Sequence, residues 1–394
     1  MTNRYQLITI GAPNSFRQEI LDTFYRHTGE LGLDPGRVAV IDASNFGDYK
    51  ATSPAFAIYF GDASGTFRDI DLIKQLQSDA KLILPVVNDL ATYAAQMPAE
   101  LRPINGFALS SSLKVEPLVG VALEGLGLLR LTRRLFISYK RDESRPVAVQ
   151  LFEEFEAAGF SVFLDTHSIR PAQPFQSELW HQLVDTDVVV LLNTPKFLDS
   201  EWTTAELARA NSMAVGIVQL NWPGFNTRRD AEISMELQLE KADFGNIMFE
   251  TPDVYLSSNT IARIISGVES WRARSLAARQ FNLVKEFVEI VRKARFPVTI
   301  EPAKYMVVTK SNGELLIFIP TIGLPQAFSY YQADQLVQDV KKGRVADVYL
   351  LYDHLNIRNE WLAHLAWLDK SFDVKLRLKT LRKSDAEAVF PTLI

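Results

Sequence analysis

Short apolar runs rich in β-branched residues alternate with segments of helical periodicity along most of the chain. In the first part of the sequence these runs are Leu7–Ile10, Val38–Ile41, Ala55–Phe60 and Leu82–Val87. Runs that are apolar throughout are typical of strands buried on both faces of a parallel sheet. The helical segments between them supply the crossovers that such a sheet requires. The first part of the chain therefore predicts a doubly wound α/β domain.

The same alternation begins again at Arg134 and a third time near residue 298. In the middle part the apolar runs are Leu135–Tyr139, Ser161–Asp165, Val188–Leu192 and Val215–Leu220. In the last part they are Tyr305–Val308, Leu315–Ile319, Val345–Leu351 and Val374–Leu378. The last of these alternates apolar with basic side chains, which predicts an edge strand with one wetted face. The whole chain predicts the α/β class, with doubly wound parallel sheets in tandem and a third α/β domain at the C-terminus.

A long helical segment separates the middle part from the last part. Apolar residues between Ile261 and Val291 keep helical spacing, which predicts one long helix or two consecutive helices that end before Pro297. A chain of 394 residues is also long enough for two or three domains. We therefore predict domains over 1–130, 131–257 and 298–394, with connecting helices over 258–297.

The side-chain inventory excludes several classes of chemistry. The chain has no cysteine, which rules out disulfides, thiolate catalysis and cysteine-ligated metal centres. Its five histidines include no pair at H-x-x-x-H spacing, so we predict no metal site. With 42 basic and 47 acidic residues, the net charge of −5 does not indicate a nucleic-acid partner.

Hydropathy gives no sign of a membrane segment. No stretch reaches the roughly 18 uncharged apolar residues that a membrane-spanning helix needs. The first ten residues lead directly into a strand-like run and lack the apolar core of a signal peptide. We therefore expect no membrane partner and a cytoplasmic location.

Four short motifs follow one another in the middle part of the chain. They are Phe136–Asp142 (FISYKRD), Gly159–Asp165 (GFSVFLD), Ser168–Phe175 (SIRPAQPF) and Ser200–Leu207 (SEWTTAEL). In order and spacing they resemble the boxes of Toll/interleukin-1 receptor (TIR) domains, the third being the BB loop and the fourth the S-x-W-C-x-x-E-L box. Residues from about 133 to 225 are therefore identified as a TIR domain of the bacterial NAD-cleaving effector type. The resemblance implies a flavodoxin-like fold.

The motifs depart from the family pattern at two positions. Ala172 follows Pro171 where the BB loop usually has glycine, so we expect the backbone there to avoid positive φ. Thr203 stands where the last box usually has cysteine. Cleavage of a glycosidic bond does not require that thiol, since the key acid of the box is its glutamate.

The resemblance implies that Glu206 is the catalytic carboxylate, because TIR domains of this type split NAD+ between nicotinamide and ribose. The residue type suits the reaction, since the pyridine leaves as a neutral group and a fixed carboxylate stabilises the oxocarbenium-like transition state. Trp202 lies four residues earlier, so on a helix both side chains project from one face. An indole there suits stacking on a substrate ring and equally suits packing inside the domain. NAD+ is thus expected as the substrate, with no cofactor.

Further binding residues are predicted where the first strand of the middle part ends. Ser138, Lys140 and Arg141 lie at that end, which is where ligands bind in doubly wound sheets. A cation at Lys140 or Arg141 suits the pyrophosphate of NAD+, although charged loop residues are also commonly just solvated. The resemblance implies that Phe175, on the BB loop, packs against a ring of the substrate.

The flanking parts carry no comparable set of motifs. The first part resembles a degenerate TIR domain without the S-x-W-x-x-x-E box, which predicts a non-catalytic pseudo-domain. A flavodoxin-like domain unrelated to TIR domains stays open as the alternative. For the C-terminal domain we expect a sensor or assembly module that receives an unknown trigger, a nucleotide or a protein, by analogy alone. The resemblance also implies a homo-oligomer formed through TIR domains, because a neighbour's BB loop often completes the cleft.

These features predict an NAD+ glycohydrolase that is active when assembled and releases nicotinamide with ADP-ribose or a cyclic isomer. The resemblance to bacterial effectors implies a role in anti-phage defence. The main alternative is a non-enzymatic scaffold or adaptor that acts through self-association. A third possibility is a cyclase whose product signals to a separate effector, which differs only in its product.

Overall fold

The computed structural model describes residues 5–164, 183, 185–195, 197, 215–224, 234–245, 255–301, 305–340, 345–353, 357 and 359–393. The chain divides into two compact units. The first comprises Met1–Arg133, Glu153–Phe160 and Glu240–Arg274. The second comprises Arg134–Phe152, Ser161–Leu239 and Ser275–Ile394.

The first unit contains a fully parallel sheet of five strands, in the order β2-β1-β3-β4-β5. The strands are β1 (Tyr5–Gly11), β2 (Val38–Ile41), β3 (Ala55–Phe60), β4 (Leu82–Val87) and β5 (Phe107–Ala108). The connecting helices are α1 (Arg17–Glu30), α2 (Ile70–Ser78), α3 (Tyr93–Gln96) and α4 (Val115–Gly125). All of β3 is buried, as its unbroken apolar sequence predicts.

The second unit contains a sheet with the same connectivity. Its strands are β6 (Arg134–Ser138), β7 (Ser161–Leu164), β8 (Val188–Asn193), β9 (Gly216–Asn221) and β10 (Met235–Gln238), and helix α5 (Arg141–Ala157) follows β6. The spatial order β10-β9-β8-β6-β7 is parallel throughout. Counted from its own first strand, each of the two sheets therefore has the order 2-1-3-4-5 of flavodoxin-like folds.

The long helical segment of the sequence is a single helix, α6 (Ser258–Lys293), of 36 residues. It ends where Arg295 adopts a left-handed φ of 62°, which terminates helical hydrogen bonding. Among the residues that the structure describes, no helix is both long and apolar enough to cross a membrane.

A third sheet lies in the second unit and is mixed rather than parallel. Its strands, β11 (Val298–Ile300), β12 (Met306–Thr309), β13 (Leu315–Thr321), β14 (Val345–Tyr352) and β15 (Leu378–Arg382), are neighbours in chain order. The pairs β11–β12 and β12–β13 are antiparallel, and the other two pairs are parallel. The helices associated with it are α7 (Ala327–Val340), α8 (Asn359–Leu376) and α9 (Lys383–Leu393).

Apolar cores cover both faces of this third sheet. On one face Phe287 and Val291 of α6 pack with Met306 and Phe318 of the sheet. On the other face the sheet packs against residues of α7 and α8, including Tyr330 and Leu365. The sheet is therefore sandwiched between helices, as expected for an α/β domain.

The α/β class predicted from the sequence is confirmed, but the last predicted strand is wrong. Residues 374–376 belong to α8, and β15 begins only at Leu378. Helix propagation gains one hydrogen bond per residue and outweighs a short polar–apolar alternation at a helix end. Arg377, with a φ of 48°, ends the helix and lets the chain enter the strand. The short strands β10 and β11 and helix α9 were not predicted.

Candidate functional site

The second sheet becomes polar on one face as its strands approach their carboxyl ends, which we call its carboxyl edge. Ser138 is in register with Leu191, and Asn193 is in register with Asn221, so these four side chains share a face. Earlier residues on the same face, such as Phe136, pack in an apolar cluster. At the carboxyl edge the buried residues on this face are, besides Leu191, the polar Ser138, Asn193, Gln219 and Asn221.

Two hydroxyls at this edge are buried and lack hydrogen-bond partners within the described part of the chain. Ser138, the last residue of β6, is 0% exposed, and Thr194, the first residue after β8, is 1% exposed. Neither Ser138 Oγ nor Thr194 Oγ1 has a partner among those residues. An unpaired buried hydroxyl costs about 1–3 kcal/mol. Such a group calls for an explanation, and a bound water, ion or ligand is one that fits a ligand-binding edge.

A pair of carboxamides connects the ends of β8 and β9. Asn193 Nδ2 donates to Asn221 Oδ1 at 2.9 Å, and both side chains are buried. The backbone is tied as well, since the Trp222 amide donates to the Asn193 carbonyl at 3.1 Å. These contacts fix the two carboxamides at the ends of β8 and β9, and Thr194 directly follows Asn193 in the chain.

The loop after β6 places two cations at the same edge. Lys140 is half-buried and Arg141 is exposed. The Lys140 carbonyl accepts hydrogen bonds from the Ser144 amide at 3.0 Å and the Ser144 hydroxyl at 3.3 Å, which closes a turn. Ser144 itself is not helical (φ −143°, ψ 18°), and Pro146 follows in the first turn of the regular helix. Lys140 thus directly precedes α5 and Arg141 is its first residue, ahead of the kink at Ser144, so both lie at a helix N-terminus, a position that favours anions.

The remaining predicted site residues are Phe175, Trp202 and Glu206, and they lie outside the described residues. In the chain, Trp202 and Glu206 fall in the link between the end of β8 at Asn193 and the start of β9 at Gly216. Of the six predicted residues, the structure thus describes Ser138, Lys140 and Arg141, all near the end of β6.

Sequence reasoning missed Thr194, Asn193 and Asn221. A signal existed in the runs that end VVVLLNT and GIVQLN, where an apolar strand turns polar at its final residues. Such an end is consistent with a simple loop start, so the pattern alone does not identify a site. The burial of these side chains distinguishes the two possibilities.

At the opposite, amino end of the second sheet, buried polar groups pair with neighbouring elements. The buried Asp185 forms an ion pair with Arg134, and its other carboxylate oxygen accepts from the Leu324 amide at 3.2 Å. Arg279 Nη1 donates to the Thr186 carbonyl at 2.8 Å. The unpaired hydroxyls therefore belong to the carboxyl edge, which is where doubly wound sheets bind ligands.

The carboxyl ends of the first sheet show a different arrangement. The Gly11 amide donates to Asp69 Oδ2 at 2.8 Å, and the Ala12 amide donates to the Phe60 carbonyl at 2.9 Å. Gly11 has a φ of 95°, and a Cβ at this position would lie 2.4 Å from the Phe60 oxygen. The space between β1 and β3, where a ligand would enter, is therefore filled by backbone.

The carboxylates at this end of the first sheet accept hydrogen bonds from their own loops, and Asp42 also pairs with Arg17 at 3.0 Å. Asp42 accepts from the Ser44 hydroxyl at 2.6 Å, and Asp62 accepts from the Ser64 hydroxyl at 2.7 Å. These hydroxyl and amide hydrogen bonds hold the pKa of Asp42 and that of Asp62 below the usual aspartate value. An edge of ionised, internally paired carboxylates does not suit a phosphate-bearing ligand.

Comparison with known proteins agrees with the sequence motifs. Residues 135–223 match the family described as TIR domain. The match begins in β6 and ends just after β9, so it includes Ser138, Thr194 and the Asn193–Asn221 pair. No curated protein was found that matches the chain. The flavodoxin-like strand order and the family match together show that residues 135–223 of this chain belong to the TIR domain family.

Proposed function

We propose that the TIR domain of this chain hydrolyses NAD+ at the bond between nicotinamide and ribose. The observation that carries the proposal is the S-x-W-x-x-x-E box at residues 200–206 within a matched TIR domain. The family also contains proteins that act by association alone, so the box supports the reaction without establishing it. The buried polar groups at the carboxyl edge of the domain add support, because a purely structural edge has no use for unpaired hydroxyls.

In the proposed reaction, Glu206 stabilises the positive charge that develops on the ribose as the C1′–N bond breaks. The bonding electrons neutralise the pyridinium, so nicotinamide leaves without needing a proton. Water then adds to C1′ and loses a proton, which gives ADP-ribose, nicotinamide and one H+. Attack by an adenine nitrogen in place of water would give a cyclic isomer. Ser138 holds the substrate at the end of β6, Lys140 and Arg141 face its pyrophosphate, and Trp202 and Phe175 stack on its rings.

The cellular setting belongs to the same proposal. We infer that TIR domains of several copies assemble to complete the cleft, and that the C-terminal domain receives the trigger. NAD+ depletion after such a trigger would act in the cytoplasm, in bacterial defence against phage. The predicted pseudo-domain at 1–130 contributes to assembly rather than to catalysis, which its filled ligand position supports.

The test is NAD+ turnover by the full chain, with separation of the products by chromatography. Wild type and Glu206→Gln are compared over a range of protein concentrations, since activity is expected only on assembly. The amide cannot supply the negative charge, so the variant should lose at least about 100-fold in kcat. Glu154→Gln, at an exposed position on α5, is the matched control and should keep the wild-type rate.

A scaffold without enzymatic activity gives a different result. It predicts no nicotinamide release by wild type at any concentration, although the chain still associates. Release that survives in Glu206→Gln would contradict the catalytic role of that residue.

A further inference from the structure

Four buried polar side chains lie at the carboxyl edge, and two of them, Ser138 and Thr194, form no side-chain hydrogen bond within the described part of the chain that would hold the sheet together. Ser138, Asn193, Thr194 and Asn221 are each at most 6% exposed. Two of them leave a hydroxyl without a partner among the described residues. Valine or alanine at those two positions would fill similar volumes without burying an unpaired group. Their polarity therefore points to a partner outside the chain.

The chemistry of the four groups indicates which kind of ligand they suit. Hydroxyls and carboxamides are uncharged and can both donate and accept hydrogen bonds. They match ribose hydroxyls or a carboxamide better than a pyrophosphate, which is recognised by cations. The two described cations beside the edge, Lys140 and Arg141, instead lie between the end of β6 and the first turn of α5. The carboxyl edge thus has an uncharged part, formed by these four side chains, and a cationic part, formed by Lys140 and Arg141.

We propose that Thr194, which directly follows Asn193 of the carboxamide pair, contacts the nicotinamide riboside half of NAD+ and sets specificity for it. This inference rests on the proposed function, and it extends the site beyond Ser138 to the end of β8. The Thr194 hydroxyl hydrogen-bonds the uncharged half of the substrate, while the carboxamide pair fixes the backbone from which it projects. The ADP half lies toward Lys140 and Arg141.

The burial of the hydroxyls has a mechanistic consequence. Both are covered in this structure, so a substrate reaches them only when the edge opens. The hydrogen bonds gained on binding then offset part of the cost of opening, because the hydroxyls start unpaired.

Thr194→Val in the full chain tests the inference. Loss of one hydrogen bond to the substrate should lower kcat/KM for NAD+ about 10-fold. The thermal unfolding midpoint should not fall, since the variant removes an unpaired buried hydroxyl. Inhibition by ADP, which lacks the nicotinamide riboside half, should stay within about 2-fold of wild type.

Thr186→Val is the matched control, because Thr186 is a buried threonine just before the start of β8, at its opposite end. It should leave kcat/KM for NAD+ unchanged. Wild-type kcat/KM in Thr194→Val would overturn the inference, as would an equal loss of ADP inhibition or a kcat/KM loss accompanied by a lower unfolding midpoint. An active wild type with an undiminished kcat/KM in Thr194→Val overturns this inference alone, whereas absence of turnover in wild type overturns the proposed function and this inference with it.

Discussion

At the carboxyl end of the first sheet, β1 and β3 finish together at Gly11 and Phe60, which are in register. In the second sheet, β6 finishes at Ser138 while β8 continues through Leu192 to Asn193. The two sheets have the same strand order, so this difference arises from the residues at the strand ends. The first position is filled by backbone hydrogen bonds and the second keeps buried groups without partners.

The comparison shows that topology creates a position for a ligand without creating a site. A doubly wound sheet has a crevice at its switch point, where the crossovers turn to opposite faces. In the first sheet Gly11 lets the chain approach Phe60 so closely that the crevice is lost. In the second sheet the corresponding strand carries Ser138, with its side chain buried at the edge. Function therefore follows the side chains rather than the fold.

The largest expected effect is a loss of stability at the carboxyl ends of β1 and β3 in the first sheet. Gly11→Ala should destabilise the first sheet by at least about 3 kcal/mol, because unfavourable φ strain adds to a clash with the Phe60 carbonyl. Gly29→Ala is the control, since no atom lies within 4 Å of its Cβ position and alanine favours the helix. Hydrogen exchange of the β1 and β3 amides would measure both variants. An undiminished protection in Gly11→Ala would mean that this edge is not closed as described.

A second effect concerns the pH dependence of stability that the ion pairs of Glu116 give to the first unit. Burial alone would raise the pKa of Glu116, but His27, through a 2.7 Å contact, and Arg26 outweigh it and hold that pKa below the usual value. The resulting stabilisation is present above the ordinary glutamate pKa of 4.5 and is lost as pH falls through the lower pKa of the folded state.

Glu116→Gln should therefore cost about 2 kcal/mol at neutral pH, and the difference from wild type should vanish in acid. Unfolding monitored between pH 7 and pH 3 measures this, with the exposed Asp71→Asn as control. A difference that is constant over that pH range would show that the charge of Glu116 contributes nothing.

The smallest expected effect is a change in the stability of the second sheet, and it is a gain where the two effects above are losses. Ser138→Ala should leave the domain as stable as wild type or stabilise it by up to about 1 kcal/mol, because no hydrogen bond is lost. Ser144→Ala removes a hydroxyl that donates to Lys140 and should destabilise by about 0.5–1.5 kcal/mol. Equal destabilisation by both variants, measured by hydrogen exchange in β6, would show that Ser138 has a structural partner.

The sequence predicted the sheets well because their strands are buried, and long apolar runs are stable only where they are shielded from water. Runs such as Ala55–Phe60 and Val188–Leu192 cannot face water, so their role is fixed locally. The segment Val374–Leu378 was misassigned because its boundary depends on where α8 ends, a property of the backbone at Arg377. The antiparallel pairs β11–β12 and β12–β13 join strands that are close in sequence, so their direction follows from the short connections between them and not from the apolar runs themselves.

The residues of the candidate site also fall into predictable and unpredictable ones. Ser138 was predictable because a motif and a strand end coincide there. Thr194 was not, since an unpaired hydroxyl is defined by what surrounds it in space and not by its neighbours in the chain. The close contact between Gly11 and Phe60 likewise depends on how β3 packs beside β1, and no pattern in the sequence around Gly11 predicts that.

Nicotinamide release from NAD+ by the assembled full chain tests the central claim most directly. Wild type, Glu206→Gln and Asp62→Asn are compared, the last changing a carboxylate at the corresponding end of the first sheet. We predict that wild type and Asp62→Asn release nicotinamide at the same rate, and that Glu206→Gln is slower by at least about 100-fold. Release by Glu206→Gln at the wild-type rate, or its loss in Asp62→Asn, would contradict the assignment of catalysis to the TIR domain.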